Sequence, residues 1–255
     1  MLKGYLKYRK QARNAHGIHS PYVFDFFRNA LVKSRKWEDR KIHELRRSLK
    51  KDQTKLAITD LGAGSKKDKA KERSVSSIAK HAAVSRKYGR LLAKMVDHYQ
   101  LEYIVELGTS LGLGTAYLSQ SNSVKKVVTI EGSAAVQEKA KSNLRDLGVD
   151  TVHFICDEFS EGIKQAVKEV PRIDLVYIDG NHTYSSTLEY FRFFLAHAHN
   201  DTFLVFDDIH WSLGMQKAWQ EIVHAEEINV SMELYRMGIV IKRKEQQKEH
   251  FILKF

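Results

Sequence analysis

The chain is poor in the residues that constrain a backbone covalently: it has two prolines and one cysteine, Cys156, in 255 residues. A lone cysteine excludes an intrachain disulfide and fits a reducing, cytoplasmic compartment. So little proline, with 43% hydrophobic residues, excludes a Pro-rich disordered chain and points to an α-rich or α/β globule. No apolar run approaches the ~18 residues of a transmembrane helix. The basic start, MLKGYLKYRKQAR, lacks the apolar centre of a secretory signal. Two phosphate-binding signatures are also missing. After Gly62 and Gly64 the third glycine of G-x-G-x-x-G is replaced by Lys67, and Gly108, Gly112 and Gly114 do not fit that spacing either. Neither loop ends in the Gly-Lys-Ser/Thr of a P-loop, so NAD and ATP are both disfavoured.

Acidic residues are scarce only in the first part. Residues 1–100 hold 26 Lys and Arg against 9 Asp and Glu; residues 101–255 hold 16 against 22. A basic front on an acidic back suggests two functional parts, the first open to an anionic substrate, nucleic acid or a membrane surface. From residue 101 onward short β-rich apolar runs alternate with helical periods. Strands are expected at 103–107, 126–131, 151–156, 173–179 and 202–208, with helices at 112–120, 133–147, 160–169, 184–198 and 214–227. Such alternation indicates a parallel sheet covered on both faces. VSMELYR and GIVIKRK read as two closing strands with a tight turn near Met237 and Gly238.

Upstream, Tyr88, Leu91, Leu92, Met95, Val96 and Tyr99 follow helical spacing. Ser20-Pro21 makes a helix start, with Ser as N-cap and Pro at the first helical position. A charged helix is expected over 37–50, and KLAIT is a short strand. The expected domains are a basic, mainly helical extension over 1–84, a ligand-binding domain over 85–245 and a tail over 246–255.

The second glycine loop suits a ligand pressed against backbone. Glu106 ends a strand, and Gly108-Thr109-Ser110-Leu111-Gly112 turns into a helix, with no Cβ at the glycines to obstruct. Glu131, followed by Gly132, ends the next strand, where a carboxylate can accept from both hydroxyls of a ribose. Asp157 follows the third strand, where it could accept from an adenine amino group. In VELGTSLGLGT, VVTIE and CDEFSE the chain resembles, over about residues 85–243, the class I S-adenosylmethionine-dependent methyltransferases. The resemblance implies a doubly wound, Rossmann-like sheet, mostly parallel with a closing antiparallel strand, behind an α-rich N-terminal extension. It implies S-adenosylmethionine as cofactor, bound by Glu106, Gly108, Thr109, Ser110, Gly112, Glu131, Gly132, Asp157 and Asp179. The first loop lacks the following helix and acidic strand, and Gly62 and Gly64 read as an accessory turn.

The fourth and fifth strands end in IDGNH and FDDIHW. Neighbouring strand ends lie about 5 Å apart, so Asp179, Asp207 and Asp208 should converge. Converging carboxylates repel unless one is protonated or a cation sits between them, and a hard divalent ion is one natural solution. The pattern resembles the metal-dependent O-methyltransferases of the catechol type, although Asp207-Asp208 replaces their Asp-Asn pair. With Asp179 and His182 as D-x-x-H, it is more similar to the sugar and macrolide O-methyltransferases. Carried over, Asp179, Asp207 and Asp208 are metal ligands, Mg2+ or another divalent ion, and His182 is the base. His210, beside Trp211, is a second acid–base candidate. His16, His19 and Tyr22 could line an acceptor pocket, whereas Phe24, Phe26 and Phe27 read as packing residues.

The expectation is an O-methyltransferase of a small-molecule acceptor. An RNA methyltransferase is the alternative raised by the basic front, but no RNA module or N-P-P-Y type motif accompanies it. A third reading is a non-catalytic membrane or partner adaptor on a methyltransferase fold, with MLKGYLKYRK as a peripheral membrane helix.

Overall fold

The computed structural model describes residues 2–58 and 71–255. Among them, in chain order, are α1 (Leu2–Gln11), α2 (Pro21–Asp25, continued by wider π-type turns over Phe26–Val32), α3 (Arg40–Leu49), β1 (Lys55–Ile58), β2 (Lys71–Ser74), α4 (Val75–His81) and α5 (Arg86–His98). Then strands and helices alternate: β3 (Tyr103–Leu107), α6 (Leu113–Leu118), β4 (Lys126–Ile130), α7 (Ala134–Asp146), β5 (Val152–Ile155), α8 (Phe159–Ala166), β6 (Leu175–Ile178), α9 (Tyr184–His197), β7 (Phe203–Phe206) and α10 (Leu213–His224). Three strands close the chain: β8 (Val230–Leu234), β9 (Met237–Ile241) and β10 (Glu249–Ile252). Strands alternate with helices, and four strand pairs run parallel, β3 with β4, β4 with β5, β6 with β7 and β8 with β10, the expected α/β class. No helix of the described residues is long and apolar enough to cross a membrane.

The chain divides into two compact units, residues 34–171 and residues 1–33 with 172–255, so the extension read as one piece over 1–84 is shared between them. In the first unit β3, β4 and β5 run parallel, and β1 pairs antiparallel with β2. β3 and β4 are buried for most of their length, which explains their unbroken apolar runs. α5 buries Tyr88, Leu91, Leu92, Met95 and Val96, the stripe expected from spacing, while Tyr99 stands just past its end, half-buried.

α5 and α6 approach closely, because a Cβ on Gly89 would run into the Tyr117 ring. Asp39 joins them to α3. It stands at the N-cap position of α3, yet its side chain makes no cap bond. Its fully buried carboxylate instead accepts from Arg86 Nε (2.8 Å) and Nη2 (2.6 Å), Arg90 Nη2 (2.6 Å) and Tyr117 OH (2.7 Å). Burial pushes its pKa up, but these donors more than offset it, and it lies well below the ordinary carboxylate range.

In the second unit β6 and β7 are parallel, β9 is antiparallel to both β7 and β8, and β10 is parallel to β8. β10 falls within the segment expected to be tail. The turn near the chain's end is also displaced from expectation. Leu234 pairs with Met237, so the turn residues are Tyr235 (φ +65°) and Arg236. Gly238 lies within β9, where a Cβ would come within 2.5 Å of the Trp219 ring. It is a glycine of close approach rather than of a turn. Ser20 caps α2 as expected, accepting from Val23 N, and Phe26 and Phe27 are buried.

Removing the Asp39 carboxylate leaves Arg86, Arg90 and Tyr117 without their shared acceptor. Asp39→Ala should lower stability by about 3–5 kcal/mol, read as a lower urea midpoint, whereas Glu38→Ala on the neighbouring exposed position should change it little.

Candidate functional site

In residues 34–171 the candidate site is the turn between β3 and α6. Gly108 (φ +99°), Ser110 (φ +48°) and Gly112 (φ +80°) give it a left-handed path that two glycines permit without strain. The Gly108 and Thr109 amides both donate to Ile130 O, at 3.0 and 3.2 Å, which fixes the turn to the end of β4. Glu131 follows β4. Its Oε2 accepts from Ser110 N (2.9 Å) and its Oε1 from Ser133 N (3.1 Å), with Gly132 N also contributing. Burial raises the Glu131 pKa, and these amide bonds oppose the shift. Gly112 opens α6 with Leu144 Cγ only 3.2 Å from where a Cβ would stand.

Glu106 lies beneath the turn, fully buried. Its Oε2 accepts from Thr115 Oγ1 (2.5 Å) and Thr129 Oγ1 (2.7 Å), and Thr129 Oγ1 is 2.6 Å from Thr109 Oγ1. Burial raises its pKa to about 7, the two hydroxyls only partly opposing it. Glu106 Oε1 and Ser110 Oγ are buried with no hydrogen-bond partner among the described residues. Unmatched buried oxygens beside a glycine turn suit a ligand carrying donors. Asp157 is placed differently: it accepts from Glu158 N (2.8 Å) and Gln165 Nε2 (2.7 Å), the bonding of a residue that starts α8. The first glycine loop, with Gly62, Gly64 and Lys67, lies outside the described residues.

In residues 172–255 the ends of β6 and β7 bring Asp179, Asp207 and Asp208 together. Tyr177 OH lies 2.9 Å from Asp207 Oδ2 and 3.2 Å from Asp179 Oδ2. Asp208 has φ +54°, and its amide donates to Asp207 Oδ1 (2.8 Å). Burial first, and then the neighbouring carboxylates, pushes the pKa of Asp179 well up and that of Asp208 up. His182 Nε2 is 3.6 Å from Asp179 Oδ1 and 3.9 Å from Asp208 Oδ2. One ligand atom each from Asp179, His182 and Asp208 falls within 4.8 Å of the others, a spacing and donor set suited to a divalent ion.

Asp207 lies outside that group. Its buried carboxylate is taken up by Tyr177, the Asp208 amide and Arg236 Nε (3.0 Å). Arg236 also places Nε 3.0 Å from Asp208 Oδ1 and Nη2 3.3 Å from Asp208 Oδ2. Burial opposes its charge, but Asp207 and Asp208 outweigh that and push its pKa further up. Sequence reasoning missed Arg236; the available signal was an arginine in the turn of the closing hairpin. His210 is paired elsewhere, with Glu233 Oε1 (2.9 Å), and stacks on Tyr235 at 5.2 Å. His16 and His19 are exposed, and Tyr22 carries the Arg243 guanidinium over its ring at 4.3 Å.

Residues 105–209 match the profile of a methyltransferase-domain family. An uncharacterized protein of Acanthamoeba polyphaga mimivirus is 27% identical over 141 residues, which are 52% of this chain; the chain spans 63% of that relative's length. Among solved structures, the O-methyltransferase from Bacillus cereus in complex with SAH is similar with a TM-score of 0.60 at 18% identity, over 81% of this chain and 92% of that one. The O-methyltransferase TomG from Streptomyces achromogenes, involved in tomaymycin synthesis and solved with SAM, is similar with a TM-score of 0.60 at 17% identity, over 81% and 91%. At these identities the likeness is one of fold.

The raised pKa of Glu106 has a signed consequence. Its carboxyl holds a proton to about pH 7 when folded but releases it near 4.5 when unfolded, so its contribution to stability falls as pH rises through that window. Relative to the wild type, Glu106→Gln should gain roughly 3 kcal/mol between pH 4.5 and pH 8, read by urea unfolding. A difference that stays constant with pH would remove Glu106 as the titrating group.

Proposed function

We propose that this chain is a class I S-adenosylmethionine-dependent methyltransferase that methylates a hydroxyl oxygen of a small molecule with the help of a divalent cation, a reading supported by the methyltransferase-domain match and the fold. The observation that carries the oxygen chemistry is the convergence of Asp179 and Asp208 at the ends of β6 and β7, with His182 Nε2 3.6 Å and 3.9 Å from their carboxylates.

The residues then take these roles. Gly108, Thr109, Ser110 and Gly112 present backbone to the cofactor, and Glu131 with Gly132 faces its ribose. Glu106 supports the turn through Thr115 and Thr129 and offers Oε1 to a donor. Asp157, tied to Gln165, remains assigned to the adenine side. Asp179 and Asp208 hold the cation, which when bound lowers the acceptor's hydroxyl pKa and orients its oxygen. Asp207 and Arg236 keep Asp208 in place. His182, 3.6 Å from Asp179, takes the hydroxyl proton on Nε2. The acceptor oxygen then forms a bond to the methyl carbon as the carbon–sulfur bond breaks, leaving S-adenosylhomocysteine. Alignment of the reacting atoms supplies much of the acceleration in such a displacement. The lone Cys156, exposed and unpaired, supports a cytoplasmic location.

Calorimetric titration with S-adenosylhomocysteine tests the cofactor half. Binding near micromolar, about −8 kcal/mol, is expected with or without magnesium, and Glu131→Ala should weaken it at least ~tenfold. Absence of binding in the wild type would sink the reading. Asp208→Asn should keep that binding and lose magnesium-dependent methyl transfer to catechol- or sugar-type hydroxyls. His182→Gln should keep most of the magnesium affinity and lower kcat at least ~tenfold; loss of magnesium affinity instead would make His182 a ligand rather than the base.

A further inference from the structure

Two segments of the unit formed by residues 1–33 and 172–255 leave large apolar side chains in water. Trp211, between Asp208 and α10, and Leu213, the first residue of α10, are 63% and 84% exposed. The segment that bears them is held from behind. Ile209 is buried and its amide donates to Arg236 O (3.0 Å), and the Trp211 amide donates to Asp208 O (2.8 Å). His210 is bonded to Glu233, and Ser212 caps α10 by accepting from Met215 N (3.1 Å). Turning Trp211 or Leu213 inward would break this frame. Their exposure therefore belongs to an ordered surface and asks for a partner.

The second segment is α1. Lys7, Arg9 and Lys10 are exposed, the sequence LKGYLKYRKQ contains no acid, and Tyr5 and Leu6 are exposed beside them. Tyr8, one turn beyond Tyr5 and stacked on it at 6.0 Å, is buried and anchors the helix, its hydroxyl donating to Leu253 O. Ring contacts join the two segments. Tyr5 meets Tyr235 at 5.1 Å, and Tyr235 stacks on His210 at 5.2 Å, the residue next to Trp211.

We propose that this surface, Tyr5, Leu6, Trp211 and Leu213 flanked by Lys7, Arg9 and Lys10, seats the protein on an anionic lipid bilayer. A ten-residue helix is about 15 Å long, half the hydrocarbon thickness of about 30 Å, so it lies along the interface instead of crossing it. Tryptophan and tyrosine favour the headgroup level, leucines enter the acyl boundary, and the lysines meet anionic headgroups. The charge complementarity is one-sided because α1 has no acid to repel the lipid. An RNA would engage the same cations but leave Leu6 and Leu213 wet.

The test is co-sedimentation of the full chain with vesicles, without cofactor or acceptor, so that its failure is separate from any failure of methyl transfer. The protein should sediment with phosphatidylglycerol–phosphatidylcholine vesicles and stay in solution with phosphatidylcholine alone. Lys7→Glu with Lys10→Glu should lower partitioning at least ~tenfold, and Trp211→Ser with Leu213→Ser should lower it to a similar extent. Both variants should keep the wild-type melting temperature, since all four positions are exposed. Equal sedimentation with both vesicle types, an effect of the charge variant alone, or binding of polyuridine RNA in place of vesicles would each overturn the proposal.

Discussion

Carboxylates buried side by side raise each other's free energy, and a fold that places three at adjacent strand ends needs a fixed charge of opposite sign. In residues 172–255 that charge is Arg236. The antiparallel register Phe206↔Gly238 brings the β8–β9 turn alongside the residues that follow β7, within reach of Asp207 and Asp208. Tyr235 adopts a left-handed conformation uncommon for a bulky residue so that the turn closes in two residues. The Arg236 carbonyl then accepts from the Ile209 amide, so one residue holds the acidic loop through both its side chain and its backbone. The cation that the sequence led one to expect from solution is in part supplied by the chain itself, which leaves Asp179, His182 and Asp208 as the group able to take an ion.

Residues 34–171 meet the same physical problem in two ways. Asp39 is matched by Arg86 and Arg90, and its pKa moves down. Glu106 has only threonine hydroxyls for partners, and burial moves its pKa up. The contrast shows that partner charge, rather than burial alone, decides which buried carboxylate stays ionised. Asp39 serves as a cross-brace between helices, whereas Glu106 sits under the turn with one oxygen unmatched.

Features with local causes were legible in the sequence. The apolar strands, the Ser20-Pro21 helix start, the stripe of α5 and the Gly108–Gly112 turn all follow from spacing or from the backbone freedom of single residues. The approach of Asp179, Asp207 and Asp208 was also readable, because parallel neighbours put their ends together. What escaped depends on pairing between distant segments. Arg236 acts on residues about thirty positions earlier, which no local pattern reveals. Gly238 looked like a turn residue until Trp219 was seen against it, and Glu249–Ile252 is too short and polar to announce a strand before β8 offers it an edge. Asp157 and His210 also have partners, Gln165 and Glu233, that no local pattern announced.

The separation between Asp207 and Arg236 also has a meaning in time. A ribosome releases the chain from its N-terminus, so the acids of β6 and β7 emerge before the arginine that neutralises them. Until β9 is inserted between β7 and β8, the carboxyl ends of β6 and β7 carry unrelieved repulsion and β7 presents an unpaired edge. Completing this half of the sheet must await the closing hairpin, a non-local step of the sort that slows folding and prolongs exposure to aggregation. The hairpin of β8 and β9 thus acts as a checkpoint in biogenesis: a nascent chain halted before Arg236 holds the acidic residues but not the charge balance that lets them lie together.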